Sequence, residues 1–277
     1  ADQGRVRYSQ RVAEVWPEFG QHGKEDLTVA QLMRHEAGCV RLAETVNSDH
    51  LRREKIKAGA MSDVLASQVP KWPSKGRREY HGDTRGFYEN ELVRRCHPRG
   101  FTLGEMIQDL SQQLQCDGVF LGLPEQQDSR VAELVAPPPG WGLVNAMFPR
   151  WLGGQGHDSL LLHVLVSLFQ WYEEKCLPAI WSHPSHGKGE VAKANAEVTR
   201  RVEAPSSNCF ASARGLARFA AAMCDAANGR KSIISAEGYQ QALADPTVDG
   251  LFDGMSVTTQ FTNCGVNVYD DRANARQ

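Results

Sequence analysis

One arrangement that can carry acyl transfer through an activated serine is a serine with a lysine three residues on. At that spacing both side chains share one helical face, and the lysine can help remove the serine proton. Ser185-His186-Gly187-Lys188 has this spacing. Pro184 precedes it and glycines stand at 187 and 189, which opposes a helical turn, so the string reads as a chance match. Tyr80, in Tyr80-His81-Gly82-Asp83-Thr84, is a second candidate. A phenol can pass a proton once a neighbour favours its anion. Unperturbed, it titrates near ~10, and a lone tyrosine is more often a packed residue whose hydroxyl finds a hydrogen bond. His157, His163, His183 and His186 are the nearest thing to a histidine cluster, but their spacing fits no zinc pattern, so no metal is expected. His35, three residues before Gly38, reads as a cap of that turn. Gly153-Gly154-Gln155-Gly156 follows no strand and lacks the phosphate-loop lysine. It reads as a turn, and no cofactor is expected. Arg94, Arg95, His97 and Arg99, and separately Arg200 and Arg201, are basic patches without interleaved aromatics. They suit solvated faces or protein contacts rather than nucleic acid.

The elements that would position these residues are mostly helical. Val12, Val15, Trp16 and Phe19 recur at helical spacing, and Pro17 is expected to end that turn. Thr28 with Gln31 three residues on is a capping box, with Leu27 able to staple against Leu32, and the helix is expected to close at Gly38. Arg52–Lys57 is a charge run, read as a solvated face. Further helices are expected over Ser62–Gln68, Tyr80–Arg95 (apolar face Phe87, Leu92 and Val93), Leu103–Leu114, Ser159–Lys175 capped by Asp158, Ser212–Ala227 and Ser235–Ala244. Leu123–Pro139, with Pro124 and the Pro137-Pro138-Pro139 triplet, reads as a surface crossing. Strand chemistry appears only at Ser256–Tyr269, which implies one hairpin near the end of the chain. There are no internal repeats.

The chain's 277 residues suit one large domain or two small ones, and 41% apolar with 23% charged residues is ordinary for a globular protein. A net charge of -2 gives no electrostatic reason to bind nucleic acid or a membrane surface. The apolar run Leu160–Phe169 is too short to span a bilayer, and direct membrane insertion is not expected. Seven cysteines, an odd number without a C-x-x-C, fit a reducing intracellular compartment such as the mitochondrion or another organelle. No signal peptide is recognisable, and a start at Ala1 fits a processed or upstream terminus. Trp141, Phe148, Trp151, Phe169, Trp171, Tyr172 and Trp181 concentrate aromatic surface suited to a core or to a protein–protein interface.

Five strings occur in one order: Val12–Phe19 with Gly23–Thr28 and Val29–Gly38; Trp72–Lys75 with Tyr80–Thr84 and Gly86–Arg95; Gly122–Pro124 with Arg130–Leu134; Pro205–Asn208 with Ala213–Arg218; and Phe261–Asn267. In this order they resemble the serine β-lactamase-related family, which includes class C β-lactamases, their esterase relatives and mitochondrial β-lactamase-like proteins. The His35-Glu36-Ala37-Gly38 helix end is the most specific match. The resemblance covers nearly the whole chain, as a single domain over 1–277 with a divergent insert at about 136–200.

The resemblance implies a helix-dominated α+β fold, β-lactamase/transpeptidase-like, with an incomplete antiparallel sheet. It also places the family's S-x-x-K upstream of the Trp16-Pro17 turn, ahead of Ala1, and its Lys-Thr-Gly or His-x-Gly strand beyond Tyr269. Tyr80 falls where the family has a tyrosine that transfers a proton, while Gly82 replaces the asparagine two residues on. The expectation is a degenerate, non-catalytic protein with Tyr80 vestigial, serving with protein partners in a larger assembly. The alternative is the middle of an active serine hydrolase of the esterase, β-lactamase or peptidase type.

Overall fold

The computed structural model describes residues 1–43, 46–72, 77–135, 194–247, 250–252 and 257–268. Ser185–Lys188, the Gly153–Gly156 loop, the histidines at 157, 163, 183 and 186, the expected helix at 159–175 and the aromatics of 141–181 lie outside the described residues. The chain divides into two compact units, Ala1–Val131 with Glu197–Gln277, and Ala132–Ala196. In the second, the Asn195 side chain pairs with the Leu134 backbone in both directions, at 2.9 and 2.7 Å.

Every residue discussed below belongs to the first unit. Its N-terminal part begins with two 3-10 turns, Val12–Glu14 and Pro17–Phe19. Pro17 opens the second turn instead of ending the first, because a missing N–H costs nothing at a first turn. Trp16 and Phe19 are fully buried and meet Tyr88 at ring-centroid distances of 6.2 and 5.8 Å. This aromatic cluster is the middle of the core.

Thr28 caps helix α1 (Val29–Met33) with the expected reciprocal box: its Oγ1 accepts from the Gln31 N–H at 3.3 Å, and the Gln31 amide oxygen accepts the Thr28 N–H at 2.9 Å. The helix does not run on to Gly38. His35 turns into the left-handed region at φ 64°. The His35 N–H reaches Leu32 O at 3.4 Å and the Glu36 N–H reaches Gln31 O at 2.9 Å. This is a Schellman closure with histidine in the position glycine usually takes.

The Arg52–Lys57 charge run is more than a solvated face, since α2 (Arg53–Lys57) buries Ile56. Helix α3 spans Ser62–Ala66 and α4 spans Thr84–Cys96. Helix α4 starts four residues after Tyr80, so Tyr80 lies on the strap that leads into the helix and not in it. The N–H and ring of His81 are engaged sideways in that strap, and Thr84 Oγ1 donates to Cys39 O at 2.8 Å. Thr102 and Glu105 form a second capping box on α5 (Leu103–Gln113). Helices α6 (Glu197–Arg201), α7 (Ala213–Ala227) and α8 (Ala236–Leu243) follow, with α7 capped by Ser212 and α8 by Ser235.

Strands are not confined to the C-terminal region as the sequence suggests. β1 (Val119–Leu121) pairs antiparallel with β2 (Cys209–Ala211), Val119 opposite Ala211 and Leu121 opposite Cys209. Three residues are too few to show alternation, so these strands leave no periodic signal. β3 (Gly250–Phe252) and β4 (Val257–Thr259) form the hairpin near the end, and Phe261 bridges Asn267 beyond it. Among the described residues the sheet is therefore two separate two-stranded antiparallel ladders, in a chain dominated by helices.

Two buried carboxylates tie these elements together. Glu203, with none of its surface exposed, accepts from Arg53 Nε at 2.7 Å, Thr102 Oγ1 at 2.9 Å, Asn90 Nδ2 at 3.1 Å and the Gly104 N–H at 3.2 Å. It thus joins α2, α4 and α5. Glu91 accepts from Arg94 and Arg95 at 2.6 Å each, and these donors offset the burial that would otherwise raise it, leaving its carboxyl below the ordinary range. The basic patches are thereby paired within the molecule, not left as open faces: Arg99 meets Asp109 at 2.8 Å, and Arg200 and Arg201 both meet Asp128.

Candidate active site

Tyr80 is 52% exposed, while the backbone on either side of it is held from within. The Glu79 N–H donates to His35 O at 3.3 Å, and the His81 N–H donates to His35 Nδ1 at 3.1 Å. The Glu79 carboxylate meets Lys71 Nζ at 2.7 Å. The His35 ring lies 5.3 Å from the Tyr80 ring and 5.3 Å, edge-on, from Phe261. Three segments meet here: the end of α1, the 77–85 strap and the loop after β4. The loop is fastened by Arg34, which donates to Thr262 O at 3.3 Å and Asn263 Oδ1 at 2.6 Å. Arg78 holds the neighbouring chain, donating to Thr259 O at the end of β4 at 2.9 Å and to Thr247 Oγ1, ahead of β3, at 2.6 Å.

A backbone N–H donates to His35 Nδ1, and a guanidinium, which can only donate, faces the other ring nitrogen, Nε2. A neutral imidazole can accept at one of its nitrogens, so the two donors compete for its lone pair. Arg85 Nη1 stands 3.1 Å from Nε2, and Arg85 is balanced by Met33 O at 3.3 Å and Glu89 at 3.1 Å. Burial, then the charge of Arg85 and then His81, pushes His35 down to about 3. His81 is fully buried, donates Nδ1–H to Glu79 O at 2.7 Å, and is pushed down to about 4, chiefly by burial. Both imidazoles are neutral near pH 7. Neither ring is a metal ligand set, since no group of three or more His, Cys, Asp or Glu capable of holding an ion occurs among the described residues.

Gly82 belongs to the same arrangement. A Cβ there would come within 3.0 Å of Tyr80 Cε1, so the absence of a side chain lets the tyrosine ring lie back over the strap. A cavity of about 960 Å³ opens elsewhere, between residues 1–9, α1 and α8, and Tyr80 does not line it. Its walls include Tyr8, whose phenol burial raises to about 12, and Glu36, raised by burial. The described cysteines are all free thiols, and those at 39, 96 and 209 are raised by burial, which leaves them poor nucleophiles.

Of the residues the sequence singles out, Tyr80 and His35 come together, and His35 is the cap it was read to be. The sequence gives no sign that the cap also contacts the tyrosine, or that His81 and Arg85 complete the contact. An α-helix-breaking histidine 45 residues before a Tyr-His pair carries no local pattern.

The helix-rich fold with short antiparallel ladders is of the β-lactamase/transpeptidase-like class. The Beta-lactamase family profile matches residues 1–272, and the chain belongs to that family. It is 36% identical over 138 residues to esterase/beta-lactamase LipL of Mycobacterium tuberculosis, covering 50% of this chain and 30% of that protein. A penicillin-binding protein homologue from Caulobacter crescentus superposes with a TM-score of 0.66 at 28% identity, over 96% of this chain and 61% of that one. A family VIII carboxylesterase shares the fold with a TM-score of 0.68 at 24% identity, over 97% of this chain and 62% of that one. The chain thus spans less than two thirds of the length of each. No described helix is long and apolar enough to cross a membrane.

Proposed function

We propose that the chain is part of a serine hydrolase that cleaves esters, with Tyr80 as the proton-transfer residue. The serine and lysine of such a protein would stand on the family's S-x-x-K, which by its spacing belongs ahead of Ala1. In the acylation step the serine oxygen bonds to the ester carbonyl carbon and the bond to the alcohol oxygen breaks. The serine proton passes through Tyr80 to the departing alkoxide.

The observation that carries this reading is a phenol-bearing ring turned to solvent on a backbone clamped from behind. A merely structural tyrosine would be the buried member of such a cluster, and here His35 and His81 are buried instead. Similarity to a protein named as an esterase/beta-lactamase supports it. Gly82 bears on the substrate: with no amide at that position to meet a β-lactam's own amide, esters are favoured.

The test is turnover of p-nitrophenyl butyrate and of the β-lactam nitrocefin by the full-length protein from its natural source, with intact mass and both ends sequenced. The ester is expected to turn over and nitrocefin to react poorly. Tyr80→Phe should lower kcat by roughly 10²–10⁴-fold with little change in Tm. A non-catalytic role with protein partners draws on no feature of the fold or the relatives. It becomes the reading if the folded, full-length protein turns over neither probe and labels with no serine-reactive reagent.

A further inference from the structure

We propose that His35 is a positioning residue for Tyr80, and that the α1 helix end is built around this task at a cost to its own stability. The inference rests on the hydrolase reading for its kinetic consequence and on geometry alone for its structural one.

The argument starts from a misfit. At the residue that closes a helix in the left-handed region, glycine pays nothing, whereas a Cβ-bearing residue costs on the order of 1 kcal/mol. His35 holds φ 64° there, inside a closure whose two backbone hydrogen bonds any residue could make. The cap does not need an imidazole. The side chain is nonetheless 3% exposed, and its ring touches the strap, the start of α4 at Arg85 and the loop opposite. Nδ1 accepts the N–H of the residue following Tyr80 at 3.1 Å. One edge of the ring meets Tyr80 at 5.3 Å and another meets Phe261 at 5.3 Å.

Other duties for an imidazole fit poorly. Nδ1 faces a backbone N–H, Nε2 faces the Arg85 guanidinium and the ring is buried, so neither nitrogen is open to a substrate proton and His35 is not a general base. A metal would need further ligands, and the described residues supply none. What remains is placement. The His81 peptide is fixed relative to α1, and the Tyr80 ring has a wall on one side and the bare Gly82 backbone beneath it. A ring displaced by about 1 Å would lose on the order of 100-fold in a proton transfer.

The discriminating substitution is His35→Gly in the full-length protein. If His35 only caps α1, the folded variant keeps its kcat. If His35 positions Tyr80, kcat for p-nitrophenyl butyrate falls at least about tenfold in the folded variant, with KM changing less than kcat. His35→Asn, which tolerates the left-handed region and offers an acceptor oxygen in place of Nδ1, should recover part of the loss. The readout independent of activity is fluorine NMR of protein labelled with 3-fluorotyrosine, the Tyr80 signal being assigned by its absence in Tyr80→Phe. That signal should shift in His35→Gly and shift less in His35→Asn.

A Tyr80 signal unmoved in folded His35→Gly overturns the proposal, as does a wild-type kcat. Should His35→Gly not fold, Phe261→Leu loosens the far face of the same ring and should shift the Tyr80 signal, and an unmoved signal there overturns it equally. If the wild-type protein turns over no ester but the signal shifts as expected, the hydrolase reading fails and the positioning role stands.

Discussion

Acidification from pH 7 to pH 5 should destabilise this protein by about 4 kcal/mol through two residues, His35 and His81. Both are buried as neutral rings, held at about 3 and about 4 in the folded chain against an ordinary 6.5. A base whose folded value is depressed binds fewer protons folded than unfolded. The stability it confers is present above 6.5 and is lost as pH falls towards the folded value. At pH 5 the unfolded chain carries close to one extra proton at each ring, which by linkage is about 2 kcal/mol apiece. That is a large share of a typical 5–15 kcal/mol margin. Near pH 5 the slope of stability against pH should approach roughly 2.7 kcal/mol per unit from these two sites. Glu36 and Glu89, raised by burial, bind protons in the folded state and oppose this trend. The assay is therefore comparative: urea unfolding followed by circular dichroism between pH 7 and pH 5, in the wild type and in His35→Asn/His81→Asn. The double variant should lose most of the slope. Equal slopes in the two proteins would refute the burial argument, because the remaining groups would then account for the whole effect.

Glu203→Ala strips the shared acceptor from Arg53, Asn90, Thr102 and Gly104, and a loss of about 3–5 kcal/mol is expected in chemical denaturation. Two capping threonines should differ although their local motifs match. Thr28→Ala loses one cap, about 1 kcal/mol, while Thr102→Ala also removes a donor to Glu203 and should cost about twice as much or more; equal costs would mean that the buried hub contributes nothing at Thr102. Gly82→Asn, which puts a side chain where 3.0 Å separates the Cβ position from Tyr80, should displace the ring and lower esterase turnover by at least tenfold without restoring nitrocefin hydrolysis. Full activity in that variant would show that the ring position does not matter.

What the sequence makes legible here is local chemistry. The capping box at Thr28, the amphipathic pattern of α5 and the helices beginning about 212 and 235 are each written within a few residues, and each is found. Tyr80 and Gly82 were legible as motif positions, because a motif is also local. The misses are of two kinds. β1 and β2 are three residues each and lie about 90 positions apart, so their pairing is decided by the packing of α5 and not by alternation. Arg94 and Arg95 looked like an open basic face because their acceptor, Glu91, reads as one more surface charge until α4 is seen to bury it. Tertiary burial assigns these roles, and single-residue propensity does not contain it.

The position of Tyr80 follows from the same distinction. The large stabilising terms, the aromatic cluster and the Glu203 hub, sit in α2, α4, α5 and the N-terminal turns. The strap itself contributes little apolar burial: Tyr80 is exposed, Gly82 has no side chain, and His81 is buried as a polar ring whose Nε2 finds no hydrogen-bond partner among the described residues. Such a segment would fray if it relied on its own contacts. It is instead pinned at both ends, by Thr84 to Cys39 O and by Glu79 to His35 O, and in the middle by one imidazole nitrogen. A left-handed histidine and an orphaned ring nitrogen are both unfavourable taken singly. They are sustainable because the hub and the aromatic cluster over-determine the elements around them. Both flank Tyr80: the His35 ring lies 5.3 Å from the Tyr80 ring and His81 is the next residue in the chain, and Tyr80 is the exposed tyrosine among the described residues.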